Sequence, residues 1–143
     1  MSKPRVLVAT SRYYSEITLE LEAGANEVLE AADAEVETIE VPGALEVPGV
    51  IAMAADSAKY DGYIALGCVI RGETSHYDFV CGESARGLMD LTVQRRLAIG
   101  NGILTVENQE QALARADRKR KNKGADAATA CLEMIKLRRK FVR

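Results

Sequence analysis

The sequence predicts a single α/β domain in which a parallel β-sheet is covered by helices on both faces. Three observations carry this. Short β-branched runs alternate with longer segments of helical periodicity, in the order β, α, β, α, β, α, β, α, α, and such alternation gives parallel strands joined by right-handed crossovers. Tyr63 to Ile70 (YIALGCVI) is almost wholly apolar, as suits a strand buried on both faces. At 143 residues the chain is long enough for one full core and too short for two.

Arg5 to Thr10 (RVLVAT) is the first strand, and Ser11 to Ser15 (SRYYS) is the loop at its carboxyl end. From Ile17 the apolar positions Ile17, Leu21, Ala25, Val28, Leu29 and Ala32 recur at helical spacing and define one buried stripe. Glu35 to Val41 (EVETIEV) alternates polar with apolar residues, as a strand with one wet face does, and suits a sheet edge. Pro42 and Gly43 end it, and Ala44, Leu45 and Glu46 lead into a second helix carrying Val50, Ile51, Ala54, Ala55 and Ala58. Asp61 and Gly62 turn the chain into the central strand. Asp78 to Leu97 then reads as the third helix, with Val80, Ser84, Gly87, Leu88, Leu91 and Arg95 near one face. Gly82, Ala85 and Gly87 are poor choices for an isolated helix and point to close packing against another, in the same subunit or a neighbour. Ile99 to Val106 (IGNGILTV) is the fourth strand. Asn108 opens a helix with Arg115 two turns in, and Arg118 to Gly124 is a charged link. Ala125 to Leu137 is the closing helix, with Ala127, Ala128, Cys131, Met134, Ile135 and Leu137 as its apolar surface.

Apolar residues make up 48% and charged residues 28%, which excludes a disordered or membrane-embedded class. No apolar run approaches the roughly 20 residues of a membrane span, and MSKPRVLVAT lacks the apolar region and cleavage site of a signal peptide; the expected location is the cytoplasm. Cys68, Cys81 and Cys131 are odd in number, lack CxxC spacing and have only His76 to share a metal. They read as reduced core residues, with no disulfide framework and no metal site. Net charge is −2, yet residues 1–114 carry 8 basic and 18 acidic side chains and residues 115–143 carry 11 and 3. The basic segment lacks interleaved aromatics and shares a helix with an apolar stripe, so it reads as a solvated face and nucleic acid is not expected as a partner. Four strands make a small sheet with exposed edges, and the Ala-rich helices point to a homo-oligomer.

The apolar central strand stops abruptly at Arg71, Gly72, Glu73, Thr74, Ser75 and His76. These polar groups fall between a strand's carboxyl end and a helix's amino end, where open α/β sheets bind ligands. Unpaired N–H groups there, with Gly72 admitting close backbone approach, favour phosphate or another anion. The plainer alternative has Thr74 or Ser75 capping the helix and His76 merely solvated. Position favours chemistry, because imidazole is the one side chain here whose unperturbed pKa suits proton transfer near neutrality. The strand ends gather Tyr13, Tyr14, Glu46, Arg71, Glu73, Thr74, His76 and Asn101 on one rim. That set can stack on a flat ring, accept hydroxyl protons, hold phosphate and move a proton. No GxxxxGK[ST] run and no GxGxxG after the first strand supports the common nucleotide readings.

Val41 to Pro48 (VPGALEVP), Ala65 to Phe79 (ALGCVIRGETSHYDF), Gly102 to Thr105 (GILT), and Asn122 to Ala125 (NKGA) with Glu133 and Met134 resemble the 6,7-dimethyl-8-ribityllumazine synthase family. The match runs from the first strand to the last helix. The resemblance implies a transferase of the penultimate step of riboflavin biosynthesis, condensing 5-amino-6-(D-ribitylamino)uracil with 3,4-dihydroxy-2-butanone 4-phosphate. Phosphate and two waters leave, without metal or organic cofactor. The fold expectation becomes a single-domain three-layer sandwich over residues 1–143, flavodoxin-like, with a four-stranded parallel sheet of order 2-1-3-4.

By the same resemblance His76 would be the catalytic proton shuttle. Glu73 and Thr74 would bind the phosphate, Glu73 through its backbone N–H with the carboxylate turned away, and Arg115 would add its guanidinium across a subunit boundary. Glu46 would hold ribityl hydroxyls, beside Ala44 and Leu45. Cys68, Val69 and Ile70 would meet the pyrimidine by backbone and Tyr13 would stack on it, with Asn101 arriving from the neighbouring chain and Lys123 near the ring. The partners implied are further copies of the chain, as a pentamer or an assembly of pentamers with sites at subunit interfaces, and riboflavin synthase through a functional link. The short amino terminus favours a free pentamer or a pair of them over a shell. Tyr13 stands where many relatives have phenylalanine, Leu45 where some have tryptophan and Asn101 where others have an aromatic, so a raised KM for the aminouracil is expected. Two other readings compete. One is a ligand-binding or shell-forming relative with little turnover; the other is a cysteine hydrolase using Cys81 and His76, although no nucleophile elbow surrounds Cys81.

Overall fold

A computed structural model describes residues 2–142. Its elements are β1 (Arg5–Ser11), α1 (Ser15–Ala31), β2 (Glu35–Val41), α2 (Val47–Asp56), β3 (Gly62–Ile70), α3 (His76–Gln94), β4 (Ile99–Val106), α4 (Gln109–Ala116) and α5 (Lys123–Phe141). The four strands are parallel in the order β2-β1-β3-β4, so the flavodoxin-like three-layer arrangement is present. Strand alternation decides which helices each sheet residue meets. Val6, Val8, Ile64, Leu66 and Leu104 pack with Ile17, Leu21, Ala25 and Leu29 of α1, Ala112 and Ala116 of α4, and Ala127, Cys131 and Ile135 of α5. Leu7, Ala9, Tyr63, Ala65 and Ile99 meet Val47 and Ile51 of α2 and Leu88 of α3 on the other face. β3 lies between β1 and β4, and Tyr63 to Leu66 are buried.

Several boundaries differ from the sequence reading. α3 begins at His76, two residues before Asp78, because Ser75 already has helical φ and ψ and its carbonyl accepts from the Asp78 and Phe79 N–H groups. It ends at Gln94, and Arg96 turns the chain with φ 57°. Ala44–Glu46 forms a 3-10 turn ahead of α2, and Ala58 lies beyond that helix with φ 56°. α5 starts at Lys123 and reaches Phe141; of its expected apolar surface, Ala127, Ala128, Cys131 and Ile135 are buried while Met134 and Leu137 are exposed. Ala32 is an exposed cap of α1, whereas Thr18, Glu22 and Gly24 join the buried stripe. β2 is exposed along most of its length, Val36 included, with only Val41 buried.

Close helix packing occurs where the small residues permit it. A Cβ at Gly124 would lie 2.0 Å from the Leu21 carbonyl oxygen, so α5 crosses α1 with backbones in near contact. Gly87 faces the Pro48 ring of α2, which places the third helix's small-residue packing partly inside this subunit. Gly82 faces no atom within 4 Å and Ala85 is exposed. Cys68 and Cys131 are buried, Cys81 is partly buried, and all three are unpaired. No helix among the described residues is long and apolar enough to cross a membrane.

Candidate active site

The carboxyl ends of β1, β2 and β3 open on a cavity of about 360 Å³. Each supplies one side of it. Ser11, Tyr13 and Tyr14 come from the end of β1 and its loop, Pro42 to Glu46 from the turn after β2, Cys68 to Ile70 from β3, and His76 and Val80 from the first turns of α3. Parallel strands put all their carboxyl ends on one rim, which is why three distant segments converge. The Tyr13 ring is 76% exposed and meets the Tyr14 ring edge-on, with centroids 4.9 Å apart. His76 is the first residue of α3, and its N–H donates to Thr74 Oγ1 at 3.3 Å. That bond is a local turn contact; Ser75 makes no side-chain cap. Glu73 and Thr74 stand exposed in the β3–α3 loop, outside the cavity lining.

Arg71 also belongs to this loop, but its guanidinium is committed. Its Nε donates to both Glu107 carboxylate oxygens at 2.9 and 3.1 Å, Asp78 lies 3.4 Å away, and the Tyr77 ring lies beneath it at 4.3 Å. Glu107 holds the Arg71 guanidinium above its usual pKa range, chiefly through the hydrogen bonds. The expected phosphate role is thus left to other groups.

Asn101, Arg115 and Lys123 lie elsewhere. Together with Gly102 to Thr105, Asp126, Ala127 and Ala130 they line a second cavity of about 430 Å³ along the free edge of β4. Asn101 does not belong to the rim, because the register sets it opposite Ala65 in β3, five residues before the Val106–Ile70 pair that ends the ladder. Its Oδ1 accepts from the Ile103 N–H at 3.0 Å. The half-buried Arg115 donates to the Gln111 carbonyl at 3.1 Å, and no carboxylate among the described residues pairs with it. Lys123 Nζ is 3.3 Å from Asp126. The two cavities share no lining residue.

Burial pushes the Cys68 thiol up to about 11, so the cavity wall presents a neutral thiol at physiological pH. Burial likewise raises Tyr14, with Tyr13 and Cys68 adding smaller contributions, and raises Cys81. Among the described residues no group of three or more His, Cys, Asp or Glu side chains is placed to hold a metal ion. Sequence reasoning missed four residues of the first cavity: Ser11, Pro42, Gly43 and Val80. The sequence reading takes Ser11, Pro42 and Gly43 only as chain turns, although the ends of both β1 and β2 wall the cavity. Val80 was legible as the residue one turn beyond His76, had the helix been started there.

Comparison with known proteins bears on this arrangement. The family model described as 6,7-dimethyl-8-ribityllumazine synthase matches residues 3–139. The chain is 56% identical to the 6,7-dimethyl-8-ribityllumazine synthase of Bartonella tribocorum, covering 97% of this chain and 93% of that protein. It is 58% identical to the synthase of the same name from Methylobacterium radiotolerans, over 94% and 82% respectively, and 57% identical to that of Sphingopyxis alaskensis, over 95% and 96%. With the family model matching residues 3–139, a span that includes both cavities and every element that builds them, the chain belongs to the 6,7-dimethyl-8-ribityllumazine synthase family.

Proposed function

We infer that the protein catalyses the reaction of its family, the condensation of 5-amino-6-(D-ribitylamino)uracil with 3,4-dihydroxy-2-butanone 4-phosphate to 6,7-dimethyl-8-ribityllumazine, the penultimate step of riboflavin biosynthesis. The observation that carries this reading is the meeting of His76, Tyr13, Glu46 and the Cys68–Ile70 strand end in one cavity. An amine and a ketone already react with each other, so holding them together and moving protons on time suffices for catalysis. The Tyr13 ring stacks on the pyrimidine and the strand-end backbone of Cys68, Val69 and Ile70 meets its edge, while Glu46, beside Ala44 and Leu45, accepts ribityl hydroxyl protons. His76 moves protons during Schiff-base formation, phosphate loss and ring closure. The phosphate lies toward the loop of Glu73 and Thr74. Glu73 offers it a backbone N–H with its carboxylate turned away, since two anions in contact would repel.

Among the described residues, the lining of the cavity holding His76 has no free cation, and that of the groove holding the unpaired Arg115 has no histidine. We therefore assign one complete site to two subunits, the second supplying Arg115 to the phosphate and Asn101 and Lys123 beside the ring. A face that meets a different face of the next copy gives a ring when the rotation between copies closes; the assembly proposed is a pentamer, free or paired, acting in the cytoplasm. A link to riboflavin synthase runs through the product.

The test is lumazine absorbance and fluorescence after mixing both substrates with purified protein, with His76→Ala and with buffer alone. Formation well above the spontaneous rate, reduced on the order of a hundredfold by the substitution, is the expected result. A wild-type rate equal to buffer, with aminouracil still bound, would make the protein a ligand-binding relative.

A further inference from the structure

The ring assigned to stacking is poorly held by its own contacts. Tyr13 is 76% exposed and its one ring contact among the described residues is the edge of Tyr14. Its attitude must therefore be set by the backbone on either side. Directly before it, Arg12 makes a two-pronged pair with Glu22 of α1, Nε to Oε2 at 2.8 Å and one terminal nitrogen to Oε1 at 2.7 Å. Glu22 is 7% exposed, and its Oε2 also accepts from the hydroxyl of the fully buried Thr10 at 2.9 Å. The other terminal nitrogen of Arg12 is 3.6 Å from Glu40 of β2. Residues 10 and 12 thus tie the end of β1 to α1 on both sides of Ser11.

A carboxylate on the helix stripe that buries Leu21 and Ala25 is costly, and even a well-made buried pair adds little net stability over apolar residues of similar volume. What the pair supplies is geometry, because a fork-to-fork contact fixes direction as well as distance. It also removes Arg12 from the anion-binding groups of the rim, since two carboxylates already face its guanidinium.

We propose that Glu22 is a positioning residue that, through Arg12, fixes the β1–α1 turn and with it the angle at which Tyr13 meets the pyrimidine. This rests on the stacking role assigned to Tyr13 above. Glu22→Gln keeps the shape and the Thr10 contact while weakening the fork, and Arg12→Lys keeps the charge while losing the fork. Should one of them fold poorly, as a melting curve would reveal, the other makes the same prediction.

The chain has no tryptophan, so Tyr13→Trp installs a single reporter whose fluorescence anisotropy reads ring mobility without any substrate. Adding Glu22→Gln or Arg12→Lys to that variant lowers the anisotropy. On the native Tyr13 background each raises KM for the aminouracil on the order of fivefold, with kcat and the KM for the butanone phosphate changed less than about twofold. Unchanged anisotropy in both double variants overturns the proposal, whatever the kinetics. Lowered anisotropy, with KM for the aminouracil unmoved in Tyr13→Ala as well as in Glu22→Gln, instead removes the stacking role while upholding the brace.

Discussion

Leu45 lines the first cavity and is 45% exposed, so it has room to be replaced by something flat. Leu45→Trp adds an aromatic face beside the pyrimidine, and base-on-aromatic stacking contributes about 1 kcal/mol at the low end. The expected outcome is a KM for the aminouracil lowered about fivefold, read from initial rates of lumazine formation. Asn101 is a less clean site for the same experiment, because its side chain already occupies the Ile103 N–H on the free edge. Cys81 is a thiol whose surroundings disfavour the thiolate. Burial raises its pKa, and it lies five positions after His76, which puts the two about 140° apart around α3. Cys81→Ser therefore retains lumazine formation within about twofold; complete loss would revive the nucleophile reading.

At the scale of elements, the α1–α5 crossing is the most exacting contact. Gly124→Ala forces a Cβ to within 2.0 Å of the Leu21 carbonyl, and strain of this kind costs about 1–3 kcal/mol or more, measurable as a lowered urea midpoint. A second tie between elements is charged. Glu20 of α1 accepts from the Arg118 backbone N–H at 2.9 Å and from its Nε at 3.1 Å. The backbone hydrogen bond, and after it the guanidinium, lowers the Glu20 pKa from its usual 4.5. Because the folded value lies below the unfolded one, the contact stabilises the fold fully above the unfolded pKa and loses that effect as pH falls through the folded value. Glu20→Gln should cost about 1 kcal/mol or less at pH 7, and in urea titrations the difference from wild type should shrink as pH falls below the usual carboxylate range.

The strands and α-helices of the described residues were legible from alternating strand and helix periods, which predict a parallel sheet; the sheet order came from the family resemblance, and the structure has it. The residues that escaped were those whose state depends on another element. Glu22 looks like surface on α1 until Arg12 and Thr10 close over it, and Met134 and Leu137 share the apolar surface of α5 without having a core to enter. The sequence reading leaves His76 in the loop and offers Thr74 or Ser75 as a cap, whereas the helix begins at His76 with no side-chain cap from Ser75. The residues alone put Asn101 on the rim with His76, whereas the resemblance assigns Asn101 and Arg115 to a neighbouring chain; the register sets Asn101 beside Ala65, away from that rim.

Across the whole molecule, that division is the property with the largest consequence. Among the described residues one cavity holds His76 and Tyr13 and the other holds the unpaired Arg115, so neither holds all three groups assigned to the reaction. If the site is completed between neighbours in a ring, a variant damaged at His76 and one damaged at Arg115 can each supply what the other lacks. His76→Ala and Arg115→Ala chains carrying different tags should be co-expressed in equal amounts, the mixed assemblies purified through both tags, and lumazine formation compared with that of each variant alone. Random mixing in a heterologous ring leaves about a quarter of the interfaces with both groups intact, so about a quarter of wild-type activity is the predicted result. Activity no greater than the average of the two variants alone would contradict a shared site and return both residues to a single chain.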